Sequence, residues 1–298
     1  MKARFFIIPA IVLSAVACKQ LEPEAPVVVP EETTEAGTWS ITIQASKAVD
    51  TKALYLDTSG EKDVLNAYWL ETEKVFVYSN SETYVGILDV IPDAGDKPTT
   101  ATLSGTITAG TETIYVGDQI ILKIPRPEWD YTGQVGTLAS IQSNYDYAIA
   151  YVEVLAKDDE NKTITTAAAT FQNCQSIYRF SFKSGTSALS IKDLTISSAG
   201  NRIAISKDFS GFTTSWGSLT VTPAAATSDP LYVAISNGDM TDDTYNFIIT
   251  GEDNALYSAS KPIPARVLQA DGKFISAKDI TATQSDFGPS GETTTNAL

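Results

Sequence analysis

The sequence predicts an all-β fold made of two antiparallel β-sandwich domains in tandem. Many short stretches alternate apolar and polar residues, which is the period of a half-buried strand. Clusters of Asp, Gly, Pro, Ser and Thr separate these stretches at intervals of about eight to twelve residues, as turns between antiparallel strands do. The chain has 298 residues, which leaves room for two sandwiches of about 120 residues each.

The N-terminus has the organisation of a secretory signal. A basic start with Lys2 and Arg4 is followed by an apolar run over residues 5–16, which is too short to span a bilayer, and then by small residues. The next residue is Cys18, so this segment resembles the lipobox of bacterial lipoproteins, in which the cysteine is acylated and becomes the first residue. We therefore predict a signal peptide over residues 1–17 and lipidation of Cys18. The alternative is an ordinary signal peptide cleaved near Ala17.

An acidic linker and a first strand-rich domain follow the signal. Residues 18–37 are rich in Pro, Glu and Thr, which indicates an extended tether. The first domain is predicted over residues 38–157. In its opening stretch TWSITIQA, the alternate residues Trp39, Ile41, Ile43 and Ala45 share one face. The later strands of this domain are predicted in the stretches TKALYLD, EKVFVYS, YVGILDVI, ATLSGTI and IILKI.

The second domain is predicted over residues 158–283 and ends in a polar tail over residues 284–298. The stretch YAIAYVEVL at 147–155 is nearly all apolar, which favours a strand buried on both faces or one that crosses between the domains. The turn KDDENK at 157–162 then marks the boundary. Further strands are predicted in ITTAAATF, IYRFSF, LSIKDLTI, RIAIS, SLTVT, LYVAIS, YNFIIT and ALYSAS.

Composition excludes several classes of function. The net charge of −15 and the pI of about 4.4 do not favour binding to nucleic acid or to anionic lipid headgroups. Attachment to a membrane is therefore expected through acyl chains on Cys18. The chain has no histidine, which removes Ser-His-Asp and Cys-His catalysis and every zinc site with a histidine ligand. We predict a protein that is not an enzyme and has no cofactor.

Two acidic clusters, at 158–161 and 239–243, lack the spacing of an EF-hand. They are predicted to be solvated turns, with calcium binding as the alternative, and no metal ligand is predicted. Paired carboxylates also leave a glycoside hydrolase as a remote hypothesis, although the sequence singles out no pair.

Aromatic residues crowd the end of the first domain and allow two interpretations. Buried, Trp129, Tyr131, Tyr145, Tyr147 and Tyr151 would be part of a sandwich core. Exposed, they would form a platform on which sugars stack, with Trp129 and Tyr131 as the candidate ligand-binding residues. The core interpretation is favoured because Tyr147 and Tyr151 lie in an apolar run.

The chain resembles the fimbrillin family of Bacteroidales pilus proteins. The resemblance rests on the lipobox cysteine before an acidic linker and on the opening segment ITIQASKAVDTKALYLD at 41–57. It continues in the pattern W-x-x-x-x-K-V-x-V-Y that begins at Trp69, in YVGIL, in TTATLSGTI at 99–107, and in ITTAAATFQNCQSIYRFSF. It covers most of residues 38–283 and is a diffuse pattern without an invariant motif.

This resemblance implies two transthyretin-like sandwiches, export as a lipoprotein, and assembly into surface fimbriae at the cell outer membrane. In shaft subunits of the family, a trypsin-like protease removes the lipidated segment with the first strand, and a strand of a neighbouring subunit fills the slot. Here Lys47 and Lys52 are the candidate cleavage sites, because the first arginine after Arg4 is Arg126. The polar tail would be a poor donor strand. An uncleaved anchor, an accessory subunit, a tip adhesin and a surface lipoprotein that binds host or bacterial glycans therefore stay open as alternatives.

Overall fold

The computed structural model describes residues 37–47, 55–60, 64–81, 83–108, 114–126, 128–208, 213–237, 243–263 and 274–285. In this part of the chain nearly all regular structure is β-strand, as predicted. The single helix of the described residues is α1 (Leu138–Asn144). The strands of the first half are β1 (Thr38–Lys47), β2 (Tyr55–Asp57), β3 (Val64–Asn66), β4 (Lys74–Tyr78), β5 (Tyr84–Pro92), β6 (Thr100–Thr108), β7 (Gln119–Ile124), β8 (Trp129–Asp130), β9 (Ala148–Asp158), β10 (Thr163–Thr166) and β11 (Ala169–Asn173). Those of the second half are β12 (Ser176–Ser184), β13 (Ser187–Ala188), β14 (Ile191–Ser198), β15 (Ile203–Asp208), β16 (Thr213–Gly217), β17 (Leu219–Val221), β18 (Leu231–Asn237), β19 (Thr244–Gly251), β20 (Leu256–Pro262), β21 (Phe274–Thr281) and β22 (Thr283–Gln284).

The first sheet contains eight strands, and its hydrogen-bonded path closes on itself. From β1 the path runs through β6, β5, β4, β7 and β9, and then returns to β1 through β10 and β11. β10 and β11 lie end to end along the same side of β1, and both also pair with β9. The strand β1 is therefore the element that closes the circuit.

The enclosed side of this sheet holds the first hydrophobic core. The residues of β1 alternate between core and solvent, which is the burial pattern that its sequence predicts. In β7, by contrast, residues 120–124 are all buried. Val75 and Val77 of β4, Leu88 and Val90 of β5, and Phe171 of β11 lie in the same core. A T-shaped contact joins the rings of Trp69 and Phe171, with 5.4 Å between their centroids.

A second core lies between two further sheets. One contains β12, β13, β15, β16, β18, β21 and the short β8, and the other contains β14, β17, β19, β20 and β22. Aromatic rings from the two sheets meet in this core. The ring centroid of Phe247 on β19 lies 5.2 Å from that of Phe180 and 5.1 Å from that of Phe182, both on β12. Edge-to-face contacts of this kind are favourable beyond the area they bury.

The predicted division after residue 157 does not coincide with the change of sheet. β10 and β11 come after that position but belong to the first sheet, and β8 comes before it but pairs with β15. Along the chain, the last strand of the first sheet ends at Asn173 and the next strand begins at Ser176. The turn at 157–162 is a hairpin between β9 and β10, because the Asp158 carboxylate accepts hydrogen bonds from the backbone of Glu160 and Asn161.

The structure corrects one local prediction and adds a short helix that the sequence analysis does not predict. β9 is buried on one face only, and its outward residues Tyr151 and Leu155 are about half exposed. The helix α1 has seven residues, too few for its period to be visible in sequence, and begins where the Thr137 hydroxyl accepts a bond from the Ser140 amide. Within the described segments, no helix is long and apolar enough to cross a bilayer.

Candidate functional site

The strand β1 occupies a slot whose two sides would otherwise be sheet edges. On one side it pairs antiparallel with β6 over nine residue pairs, from Thr38 opposite Thr108 to Ser46 opposite Thr100. On the other side it pairs in parallel with β10 near its start and with β11 near its end. Without β1, both sides of the slot would expose rows of unpaired backbone N–H and C=O groups.

The side chains of β1 fill an apolar groove in the first core. Trp39, Ile41, Ile43 and Ala45 are each at most 5 % exposed, whereas Ser40, Thr42 and Gln44 face solvent. Full burial of a large apolar side chain stabilises a fold by about 1.5–3 kcal/mol. The slot is therefore held by main-chain pairing along two sides and by side-chain burial along its floor.

Two lysines cover the beginning of the slot. The ammonium groups of Lys157 and Lys162 lie 4.4 Å and 4.8 Å from the ring centroid of Trp39. Both lysines belong to the hairpin that joins β9 to β10, so this turn packs over the first large side chain of β1. Such cation–π contacts are worth about 0.5–1 kcal/mol at exposed sites.

The end of the slot holds a buried ion pair. Lys47, the last residue of β1, places its Nζ 2.8 Å from Oε2 of Glu73 and donates a hydrogen bond of 2.7 Å to the carbonyl oxygen of Tyr68. The same ammonium lies 4.1 Å from the ring centroid of Trp69. The side chain of Lys47 is fully buried and that of Glu73 is 7 % exposed. Carboxylate, carbonyl and aromatic face together form a cation pocket.

The electrostatics of this pocket are dominated by burial. Removal from water lowers the pKa of the Lys47 ammonium below its ordinary value, and the carboxylates of Glu73 and Asp146 oppose that lowering. Asp146 is itself buried and accepts a hydrogen bond from the Gln175 amide. The pocket thus has two acidic groups near one cation, all of them inside the fold.

The predicted lipidation and cleavage residues have different positions relative to the described structure. Cys18 and Lys52 lie outside the described residues, and lipidation and cleavage there stay predictions. Lys47 is described, and its side chain is buried at the end of a paired strand. A protease would reach the bond after Lys47 only when the end of β1 leaves its slot.

The structure places Trp129 and Tyr131 in the second core, so their rings do not offer a free surface to a sugar. Their exposed fractions are 5 % and 0 %. Both rings pack against Tyr147, Trp129 in a stacked arrangement at 6.0 Å and Tyr131 edge-on at 5.2 Å between centroids. The Tyr131 hydroxyl donates to the carbonyl of Cys174. The physical reason is that β8 joins the second sheet, which turns these side chains inward.

Sequence reasoning missed Glu73 and the cation pocket. A signal was present, because Lys47 continues the buried register of Trp39, Ile41, Ile43 and Ala45. A lysine on the apolar face of a strand requires a buried partner. The sequence pattern alone could not name Glu73, which lies 26 residues away.

The chain is similar to several solved structures of surface and pilus proteins. A candidate cell adhesion protein of Bacteroides ovatus matches at 10 % identity and a TM-score of 0.41, over 84 % of this chain and 97 % of the other. A fimbrial assembly protein of Parabacteroides distasonis matches at 10 % identity and a TM-score of 0.38, over 85 % of this chain and 100 % of the other. The shaft pilin SpaA of Lactobacillus rhamnosus GG matches at 11 % identity and a TM-score of 0.31, over 85 % and 100 %. No protein-family model and no curated protein matches the chain.

Proposed function

We propose that this protein is a non-catalytic fimbrial subunit, or a fimbria-associated surface lipoprotein, that assembles by β-strand addition and contributes to cell adhesion. The observation that carries the proposal is the position of β1. A single strand at the N-terminal end of the described chain closes the first sheet between β6 on one side and β10 and β11 on the other. The names of the fimbrial assembly protein and the shaft pilin given above agree with this function. The proposal itself rests on the geometry of β1.

Loss of β1 would create a binding site for an extended segment of another subunit. The vacated slot would present two unpaired edges and an apolar floor, and one added strand satisfies all three. A contact in which the slot of one subunit receives a strand of the next is head-to-tail and does not close. Repetition of such a contact builds a filament.

Lipidation of Cys18 and cleavage at Lys47 or Lys52 are the steps that would set the role of the subunit. A chain that keeps its acylated N-terminus would be held at the outer membrane and would act as an anchor or accessory subunit. A chain cut after Lys47 or Lys52 would lose its lipid together with β1, and would become competent to polymerise. Its partners would then be other fimbrial subunits.

The mature N-terminus at the cell surface distinguishes these roles. Mass spectrometry of protein recovered from sheared fimbriae and from the outer membrane measures it directly. We expect N-termini at Ala48 or Ala53 in the fimbrial fraction. An acylated Cys18 in every molecule would rule out the shaft role and leave the anchor role, while complete absence of the protein from fimbrial fractions would contradict the proposal.

A further inference from the structure

The groups that accept the cation at the end of the β1 slot do not belong to β1 itself, so removal of the strand would leave them in place. Glu73 and Trp69 precede β4, and the Tyr68 carbonyl lies beside them, so all three groups stay with the body of the protein when β1 leaves. The ammonium of Lys47 leaves with the strand, whether the chain is cut after Lys47 or after Lys52. The vacated slot therefore keeps an acceptor set built for a cation.

An incoming strand has to supply the missing positive charge. The Glu73 carboxylate would keep a 3.3 Å hydrogen bond from the Leu70 amide, but its counter-ion would be gone. The buried Asp146 adds negative charge close to the same point. A strand with an apolar residue at this position would seal a carboxylate away from water without a cation, which is far less favourable than a paired site.

The register of β1 also determines at which position of the incoming donor strand the positive charge has to lie. A replacement strand that runs antiparallel to β6 and parallel to β10 and β11 presents its alternate side chains to the floor of the slot. The floor takes a large aromatic group at the place of Trp39 and medium or small apolar groups at the next three inward positions. The fifth inward position, at the C-terminal end, is that of Lys47.

We propose that Glu73 makes the vacated slot selective for a donor strand with lysine or arginine at the position of Lys47. This inference rests on the proposed strand exchange and names the partner's chemistry: an extended segment of a neighbouring subunit with four alternate apolar residues followed by a basic one. The pocket acts as a register mark, because a donor shifted by two residues would place its cation away from Glu73 and an apolar residue beside it.

Peptide exchange tests the proposal on the full chain. A recognition sequence for a specific protease is inserted within residues 48–54 and cut, so that β1 stays in place without a covalent link. Fluorescent TWSITIQASK, the sequence of β1, then competes for the slot with the matched peptide in which the residue corresponding to Lys47 is methionine. A third peptide carries methionine at the position of Gln44, which is exposed. Fluorescence anisotropy and native mass spectrometry measure occupancy.

We expect the methionine-for-Lys47 peptide to bind at least about a hundredfold more weakly than the β1 peptide, because it leaves one partner of a buried pair uncompensated. The control with methionine at the position of Gln44 should bind within about threefold. In the Glu73→Gln chain the preference for lysine should fall below about tenfold. The peptide comparison on the unaltered chain decides the proposal even where Glu73→Gln lowers the yield of folded protein.

The outcomes separate this inference from the proposed function. Equal binding of the lysine and methionine peptides would overturn the selectivity of Glu73 and leave strand addition in place. Failure of every peptide to enter the nicked chain would overturn both. A lysine preference that persists unchanged in Glu73→Gln would assign the selectivity to another group and overturn the role of Glu73.

Discussion

Lys47 and Glu73 form an ion pair of 2.8 Å inside the fold, between the last residue of β1 and the residue before β4. The pair joins the N-terminal strand to the body of the first sheet at the end opposite Trp39. A buried ion pair adds little net stability relative to an apolar pair, but loss of one partner is costly. We therefore expect that a strand without a cation at this position would replace β1 poorly.

The first prediction concerns this pair. Lys47→Met should lower the free energy of unfolding by about 3–5 kcal/mol, because Glu73 stays buried without its counter-ion. The double variant Lys47→Met with Glu73→Leu should recover much of that loss. Urea unfolding followed by tryptophan fluorescence measures the change.

Lys74→Met is the matched control, because Lys74 pairs with Asp89 on the surface, where both side chains are more than half exposed. That variant should lose less than about 1 kcal/mol. Equal losses in Lys47→Met and Lys74→Met would contradict the importance assigned to the buried pair.

The second prediction concerns retention of β1. Ile43→Ala should lower the free energy that holds β1 in its slot by about 2–5 kcal/mol, since Ile43 is 1 % exposed on the floor of the slot. Limited digestion with trypsin should then cut after Lys47 faster than in the unaltered chain, because the protease acts on the opened strand. N-terminal sequencing of the fragments identifies the cut.

Gln44→Ala provides the comparison at the neighbouring position of β1. Gln44 is exposed and its amide donates to the Thr102 hydroxyl, so its loss should change the cleavage rate little. If both variants were cleaved faster to the same extent, the cleavage rate would not measure how tightly β1 is held in its slot.

The third prediction is a dependence of stability on pH through Asp243. Burial alone would raise the pKa of this carboxyl, but hydrogen bonds from the backbone amides of Thr244, Gly200 and Ala199 and from the Ser198 side chain together outweigh burial and hold the pKa below its ordinary value. The stabilisation is thus present above the unfolded-state pKa of about 3.9 and is lost as the pH falls through the lower folded-state pKa. Asp243→Asn should be less stable than the unaltered chain at pH 7, and the difference should shrink as the pH falls below about 4. A difference that stays constant over that range would contradict this assignment.

How much could be predicted from sequence depended on whether a feature is local. The alternation of Trp39, Ile41 and Ile43 is a local property, and it predicted both the strand β1 and its buried face. The all-β class follows from many such stretches. Strand partners are not local: β10 and β11 have ordinary strand patterns, and nothing in those patterns indicates that they pair with β1 in parallel. For this reason the change of sheet after Asn173 lies at a different position from the predicted domain boundary after residue 157, and the domain bounds stay a prediction.

The candidate site shows the same limit. The resemblance makes Lys47 a candidate cleavage residue because lysine suits a trypsin-like protease, whereas its position on the buried face of β1 gives it the partner Glu73. The clustering of aromatic residues in sequence makes Trp129 and Tyr131 candidates for a platform on which sugars stack. Their orientation is set by the pairing of β8 with β15, which no local pattern reveals.

The last prediction follows from that burial. Trp129→Ala should lower the free energy of unfolding by about 3–5 kcal/mol, because it removes a side chain that stacks on Tyr147 within the second core. Trp216→Ala is the control, since Trp216 is 41 % exposed on β16, and it should lose less than about 1 kcal/mol. Thermal unfolding compares the two, and a glycan array with the folded Trp129→Ala protein adds a binding readout. A Trp129→Ala variant of normal stability that no longer binds a polysaccharide would support the platform interpretation. Only the removal of an accessible ring can abolish binding without destabilising the core.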